Sequence, residues 1–177
     1  TIPPAPLDPA QLALSLAPFG ESRMLPRDAY LSPEVLDWER RHLFDGWMCL
    51  GRSSEIPQGG LRAESVGEYG VLLTRDSEGV LRAFENACRH RGSALCEGTG
   101  VGLTELRCPF HRWAYDLSGR LREVPSRREF GVLGGEAEDF GLIPVRVEAW
   151  GPLVFVNLRL DAEPLADFLG AVPDDCA

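Results

Sequence analysis

The sequence predicts a mainly β fold: an antiparallel domain preceded by a helical N-terminal arm. Three observations carry that expectation. Short β-rich runs recur at close spacing from Met48 onward, Gly-containing turns separate them, and the one well-capped helical pattern lies before Gly46. The 177 residues, 44% hydrophobic and 25% charged, suffice for one ordinary domain with its own core.

Residues 1–29 contain six of the fourteen prolines and no sustained periodicity, so they read as an extended arm with a short helical piece around 11–16. A helix follows. Ser32 suits the N-cap, Pro33 the first helical position and Glu34 the positive end of the dipole. Val35, Leu36, Leu43, Phe44 and Trp47 supply apolar positions, and Gly46 suits the stop. His42 lies in this helix and is expected to be a surface or packing histidine with no further role. Beyond it, 62–66 and 70–75 read as strands, and the turn Asp76-Ser77-Glu78-Gly79 leads into a run at 80–86. The turn Asp116-Leu117-Ser118-Gly119 divides 111–115 from 120–124. A looser Gly- and acid-rich stretch at 130–140 precedes two final strands, 143–150 and 153–158, around Gly151-Pro152. A helix is expected to begin in 164–169.

The formal charge of −9 speaks against nucleic acid as a partner, because that contact needs a basic face. The charge is uneven, however. From Arg82 to Arg128 there are 9 arginines against 5 acidic residues, so a basic island of +4 sits in an otherwise acidic chain. Such arginines commonly pair with nearby acids at the surface. No run of 18 apolar residues exists, and no basic segment precedes the mildly apolar stretch at 10–18, so neither a membrane span nor an export signal is expected and the location predicted is cytoplasmic. Five cysteines are an odd number in such a chain, which makes metal ligation a better first reading than a disulfide framework.

Cys88-x-His90 and Cys108-x-x-His111 stand 17 residues apart, each behind a strand-like run that can hold it rigid. Each loop offers one thiolate and one imidazole. Zinc accepts two Cys and two His in a tetrahedral site, usually with the cysteines on one knuckle and the histidines on another. A 2Fe–2S cluster can instead take two Cys on one iron and two His on the other. A Cys and a His on each loop let that loop reach both metals of such a pair.

The residues Cys88-Arg89-His90-Arg91-Gly92 and Cys108-Pro109-Phe110-His111-Arg112-Trp113, then Tyr115-Asp116 and Gly119, resemble the signature of the Rieske 2Fe–2S domain in the large (alpha) subunit of Rieske non-haem iron ring-hydroxylating oxygenases. The segment 30–57 is similar to the region that opens that subunit. Trp150-Gly151-Pro152-Leu153-Val154-Phe155-Val156-Asn157 resembles the strand pair that closes its Rieske domain and looks like the enzymes acting on small quaternary ammonium compounds. One departure is visible: Arg112 stands where the family usually has Gly, which puts the local turn in question.

The resemblance implies a Rieske-type antiparallel β-sandwich with a small cluster-binding subdomain. It implies a 2Fe–2S cluster held by Cys88, His90, Cys108 and His111, with no catalytic residue in this chain. The implied domains are an arm and helix at 1–47, a Rieske domain at 48–160 with cluster loops at 86–97 and 106–116, and the start of a linker at 161–177. High-potential relatives add a Cys to each loop and join the two by a disulfide. Pro109 and Phe110 occupy the second loop here, so the low-potential type is implied, with Cys49, Cys96 and Cys176 as buried or loop thiols. Trp113 and Tyr115 alternate on a strand and are expected to pack in the core. The implied function is relay of single electrons from a reductase or ferredoxin to a mononuclear Fe(II), for O2-dependent hydroxylation or demethylation. That iron needs two His and a carboxylate, and only His42 is left over, so it is expected in an absent catalytic domain or a neighbouring subunit of a homo-oligomer. The chain is then expected to be a fragment or truncated product. Rival readings are a stand-alone Rieske ferredoxin and a zinc-binding structural module.

Overall fold

The structure is a computed structural model that describes residues 2–125 and 137–176. Most of the stretch expected to be loose, 130–136, lies outside the described residues, as do Arg127 and Arg128 of the basic island. The chain divides into two compact units, Thr1–Gly46 and Trp47–Ala177.

In the first unit, helices span Pro9–Ser15, Asp28–Leu31 and Pro33–His42. The earliest begins two residues before the expected piece, because Asp8 caps it by accepting the Ala10 N–H at 2.9 Å. Ser32 caps the longest as expected, its hydroxyl accepting the Val35 N–H. That helix stops at His42, a turn short of Gly46: the Leu43 and Phe44 N–H groups both turn onto the Glu39 carbonyl, at 2.7 and 3.1 Å. His42 lies against the Trp38 ring with centroids 5.3 Å apart. Trp47 therefore falls outside the helix and belongs to the second unit, where it packs with Phe155 and Leu165 and donates its ring N–H to the Glu163 carbonyl at 2.9 Å. Leu165 opens the helix Leu165–Leu169, close to where one was expected.

The second unit is antiparallel throughout. Its strands are β1 (Met48–Arg52), β2 (Gly60–Val66), β3 (Tyr69–Arg75), β4 (Leu81–Glu85), β5 (Thr99–Gly100), β6 (Glu105–Arg107), β7 (Ala114–Asp116), β8 (Leu121–Glu123), β9 (Pro144–Trp150) and β10 (Leu153–Asn157). Seven form one sheet in the order β1-β10-β9-β4-β3-β2-β5, and β6-β7-β8 form a second, smaller one. The two final strands predicted around Gly151-Pro152 are β9 and β10, paired in a tight hairpin.

Strand β3 shows why the sheet is hidden on both faces. Val71, Leu72, Leu73 and Thr74 are all fully buried, the continuous apolar run of a covered central strand. Leu72 points into a core shared with Phe84, Cys88, Cys108, Trp113 and Tyr115. Val71 and Leu73 point the other way, into a core of Ile56, Val66, Val145, Val154 and Val156. The small sheet is thus seated on one face of the large one. Buried Thr74 helps to hold it there, its hydroxyl donating to the Leu117 carbonyl at 2.8 Å. Among the described residues no helix is long and apolar enough to cross a membrane.

Candidate metal centre

The first loop leaves β4 and carries Cys88 and His90; the second leaves β6 and carries Cys108 and His111. Both close with the same backbone scheme. The Cys88 carbonyl accepts from Gly92 N–H at 2.8 Å, and the Cys88 N–H donates to the Ser93 carbonyl at 2.8 Å. The Cys108 carbonyl accepts from Arg112 N–H at 3.1 Å, and the Cys108 N–H donates to the Trp113 carbonyl at 2.8 Å. The fourth residue after each cysteine must turn left-handed to complete this ring. Gly92 does so with φ +72°, and Arg112 with φ +62°, the one positive φ outside glycine among the described residues. The substitution at 112 therefore leaves the turn intact and places backbone strain there.

The loop tips bring all four predicted residues to one cavity of about 240 Å³, lined also by Arg91, Ser93 and Phe110. Like donors meet in pairs. The imidazoles of His90 and His111 stand edge to face with centroids 4.6 Å apart. The Cys88 and Cys108 sulfurs are close enough to influence each other's ionisation. Both cysteines are buried (3% and 1% exposed), His90 is half-buried with its Nδ1 buried, and His111 is exposed, so the thiols lie deeper than the imidazoles. Among the described residues no three His, Cys, Asp or Glu side chains are placed to hold a single metal ion. The four donors divide two and two instead, and that donor chemistry fits a binuclear cluster with thiolates on one iron and imidazoles on the other.

Hydroxyl groups stand behind both sulfurs. Tyr115 Oη accepts the Arg89 N–H at 3.1 Å and lies 3.4 Å from Cys88 Sγ, so its own proton is left for the sulfur. Burial and the neighbouring Cys88 push the Tyr115 hydroxyl far above the usual phenol range, which keeps it a donor. Ser93 Oγ lies 3.3 Å from Cys108 Sγ. Burial pushes the Cys88 thiol up. It acts in the same direction on Cys108, but the Ser93 hydroxyl and the backbone of His111 and Phe110 outweigh it and hold that thiol below its ordinary value. Trp113, wholly buried, stacks on His90 at 4.9 Å with the planes 3° apart. The core role expected of Trp113 and Tyr115 is thus joined by direct contact with His90 and Cys88.

Asn86 escaped the sequence reading. Its Oδ1 accepts the Leu95 and Cys96 N–H groups at 2.9 and 3.3 Å, and its Nδ2 donates to the Cys96 carbonyl at 2.8 Å. These bonds pin the far end of the first loop to its start. An Asn just before the first cysteine was the available signal, since Asn side chains favour backbone bonds in loops. The basic island divides: Arg82 is paired with Asp76, and Arg107 with Glu105 and Glu123, whereas exposed Arg91 and Arg112 have no acidic partner among the described residues. A larger open groove, about 420 Å³, runs past Asp76, Arg82, Ser118 and Arg120, but its Arg82 and Asp76 neutralise each other and no reactive groups converge there.

Residues 46–145 match the family model described as Rieske [2Fe-2S] domain. Over 171 residues the chain is 33% identical to the glycine betaine monooxygenase oxygenase subunit of Pseudomonas aeruginosa, spanning 94% of this chain but only 39% of that protein. Naphthalene 1,2-dioxygenase from a Rhodococcus species, solved with indole bound, superposes with a TM-score of 0.76 at 33% identity, over 84% of this chain and 34% of that one. A quaternary ammonium Rieske monooxygenase, whose structure is described as revealing insights into carnitine oxidation and inter-subunit electron transfer, superposes with a TM-score of 0.76 at 28% identity, over 85% of this chain and 41% of that one.

Proposed function

The chain belongs to the Rieske [2Fe-2S] domain family, and from that premise we propose that it is the electron-relay domain of the large subunit of a Rieske non-haem iron oxygenase. When bound, a 2Fe–2S cluster accepts and returns one electron at a time. Cys88 and Cys108 would hold it from the buried side and His90 and His111 from the outer side. The observation that carries this reading is the two-and-two division of thiols and imidazoles at one cavity. Tyr115 and Trp113 wall the inner side and keep water from the sulfurs, while exposed His111 offers an imidazole edge through which electrons can pass to a partner.

The remaining assignments follow from the same reading. Residues 1–46 form the arm and helix, 47–160 the Rieske domain with loops at 86–97 and 106–116, and 161–177 the start of a linker. The electron donor is a reductase or ferredoxin, and exposed Arg91 and Arg112 favour one with an acidic face. The acceptor is a mononuclear iron in a catalytic domain or neighbouring subunit of a cytoplasmic homo-oligomer, and the overall reaction is an O2-dependent hydroxylation or demethylation.

Anaerobically purified protein should contain iron and acid-labile sulfide in equal amounts, and its dithionite-reduced form should give the EPR spectrum of a Rieske centre. His111→Ala should abolish that spectrum and His42→Ala should leave it unchanged. Protein free of iron and sulfide after reconstitution, or carrying zinc instead, would overturn the assignment.

A further inference from the structure

We propose that Ser93 is a positioning residue that acts across the gap between the two loops: its hydroxyl donates a hydrogen bond to the Cys108 sulfur and raises the reduction potential of the bound cluster. The inference rests on the electron-relay reading and adds to it a residue that tunes the relay.

Ser93 is tied to both cysteines. Its carbonyl accepts the N–H of Cys88 at 2.8 Å within the first loop. Its Oγ lies 3.3 Å from Sγ of Cys108 in the second loop, inside the range for a hydrogen bond to sulfur. Among the described residues that sulfur is the partner of the hydroxyl. The shared backbone scheme makes the placement systematic. The fifth residue after each cysteine accepts that cysteine's N–H, and its side chain crosses to the opposite loop. In the second loop this residue is Trp113, whose ring covers His90. In the first it is Ser93, small enough to reach the sulfur and carrying the proton the sulfur accepts.

The direction of the effect follows from electrostatics. A metal-bound thiolate has no proton to give, so the hydroxyl must be the donor. Added electron density on the iron makes the sulfur a stronger acceptor, and a donor already in place stabilises the reduced form more than the oxidised one. Cys108 is 1% exposed, so when the hydroxyl is removed its sulfur is left to the backbone N–H groups of Phe110 and His111. Tyr115 does the equivalent for Cys88, so each thiolate has one hydroxyl of its own.

The test is an EPR-monitored redox titration of wild type, Ser93→Ala and Ser93→Thr, each with its iron and sulfide content measured. At the wild-type midpoint, S93A should show a reduced-to-oxidised ratio about tenfold lower, which is about 59 mV for one electron. S93T keeps the hydroxyl and should stay within about twofold of wild type. A fully loaded S93A within about twofold of wild type would overturn the proposal, as would S93T shifting as far as S93A. Failure of S93A alone to assemble, with S93T loading normally, would support the hydroxyl as the holding group; failure of both would show a packing requirement and overturn it. Wild-type protein without a cluster would instead bring down the relay reading on which this inference stands.

Discussion

Replacing Gly119 by alanine tests how the small sheet is fastened to the large one. Gly119 ends the turn between β7 and β8 with φ +83°, and a Cβ built there would lie 2.4 Å from Cε1 and 2.6 Å from Cζ of Phe84. Phe84 is a buried residue of β4 in the core that also holds Cys88 and Cys108, so its ring has little room to retreat. The left-handed backbone costs a non-glycine residue about 1–2 kcal/mol. Forcing a methyl against a packed ring costs about 1–3 kcal/mol more. The reduced freedom of the unfolded chain offsets roughly 0.4–1 kcal/mol. The net expectation for Gly119→Ala is a loss of about 3 kcal/mol. Gly67 provides the reference: it has φ +58° but nothing within 4 Å of a built Cβ, so Gly67→Ala carries only the backbone part, a loss of about 1 kcal/mol. Urea unfolding followed by circular dichroism, with both variants in parallel, isolates the Phe84 contact as their difference. Equal losses in the two variants would refute the claim that the turn is packed against β4.

Three further outcomes are expected. Asn86→Ala removes three hydrogen bonds from the first loop and should cost about 2–3 kcal/mol locally, seen as faster amide exchange at Leu95 and Cys96; unchanged exchange would show that the loop holds its shape without the clamp. Arg112→Gly relieves a left-handed residue while adding freedom to the unfolded chain, so it should raise stability by about 0.5–1 kcal/mol in urea melts, and a lower midpoint would mean that the guanidinium contributes more than the strain costs. Reduction by an acidic donor protein should slow steeply as ionic strength rises from 0.01 to 0.15 M, where the screening length falls from about 30 to about 8 Å; a flat profile in stopped-flow measurements would remove Arg91 and Arg112 from the docking surface.

The family, the mainly β class and strands β2 to β4 and β8 to β10 were legible in the chain because their signals are local, whereas the two-residue β5 was not, and the run expected at 111–115 is a turn that becomes strand only at Ala114. A thiol and an imidazole two or three residues apart, a Gly-ended turn and alternating apolar positions each lie within a short window. Arg112 was legible as an anomaly because the resemblance expects a glycine there; the structure keeps the turn and takes up the difference as a left-handed residue with φ +62°. The end of the third helix was misjudged because Trp47 fits a helical stripe by spacing but is claimed by Phe155 and Leu165, more than a hundred residues away.

The sequence by itself determined which atoms are available to hold metal and roughly where each loop begins. Only the tertiary structure decided that the two loops close by the same backbone ring, that the thiols lie deeper than the imidazoles, and that Tyr115, Ser93 and Asn86 support the candidate site. The physical reason is range. A hydroxyl 3.3 Å from a sulfur fifteen residues along the chain leaves no periodicity and no composition signal. It exists because β3 and β4 form a floor on which both loops must pack, and burial then brings a hydroxyl of another segment against each sulfur.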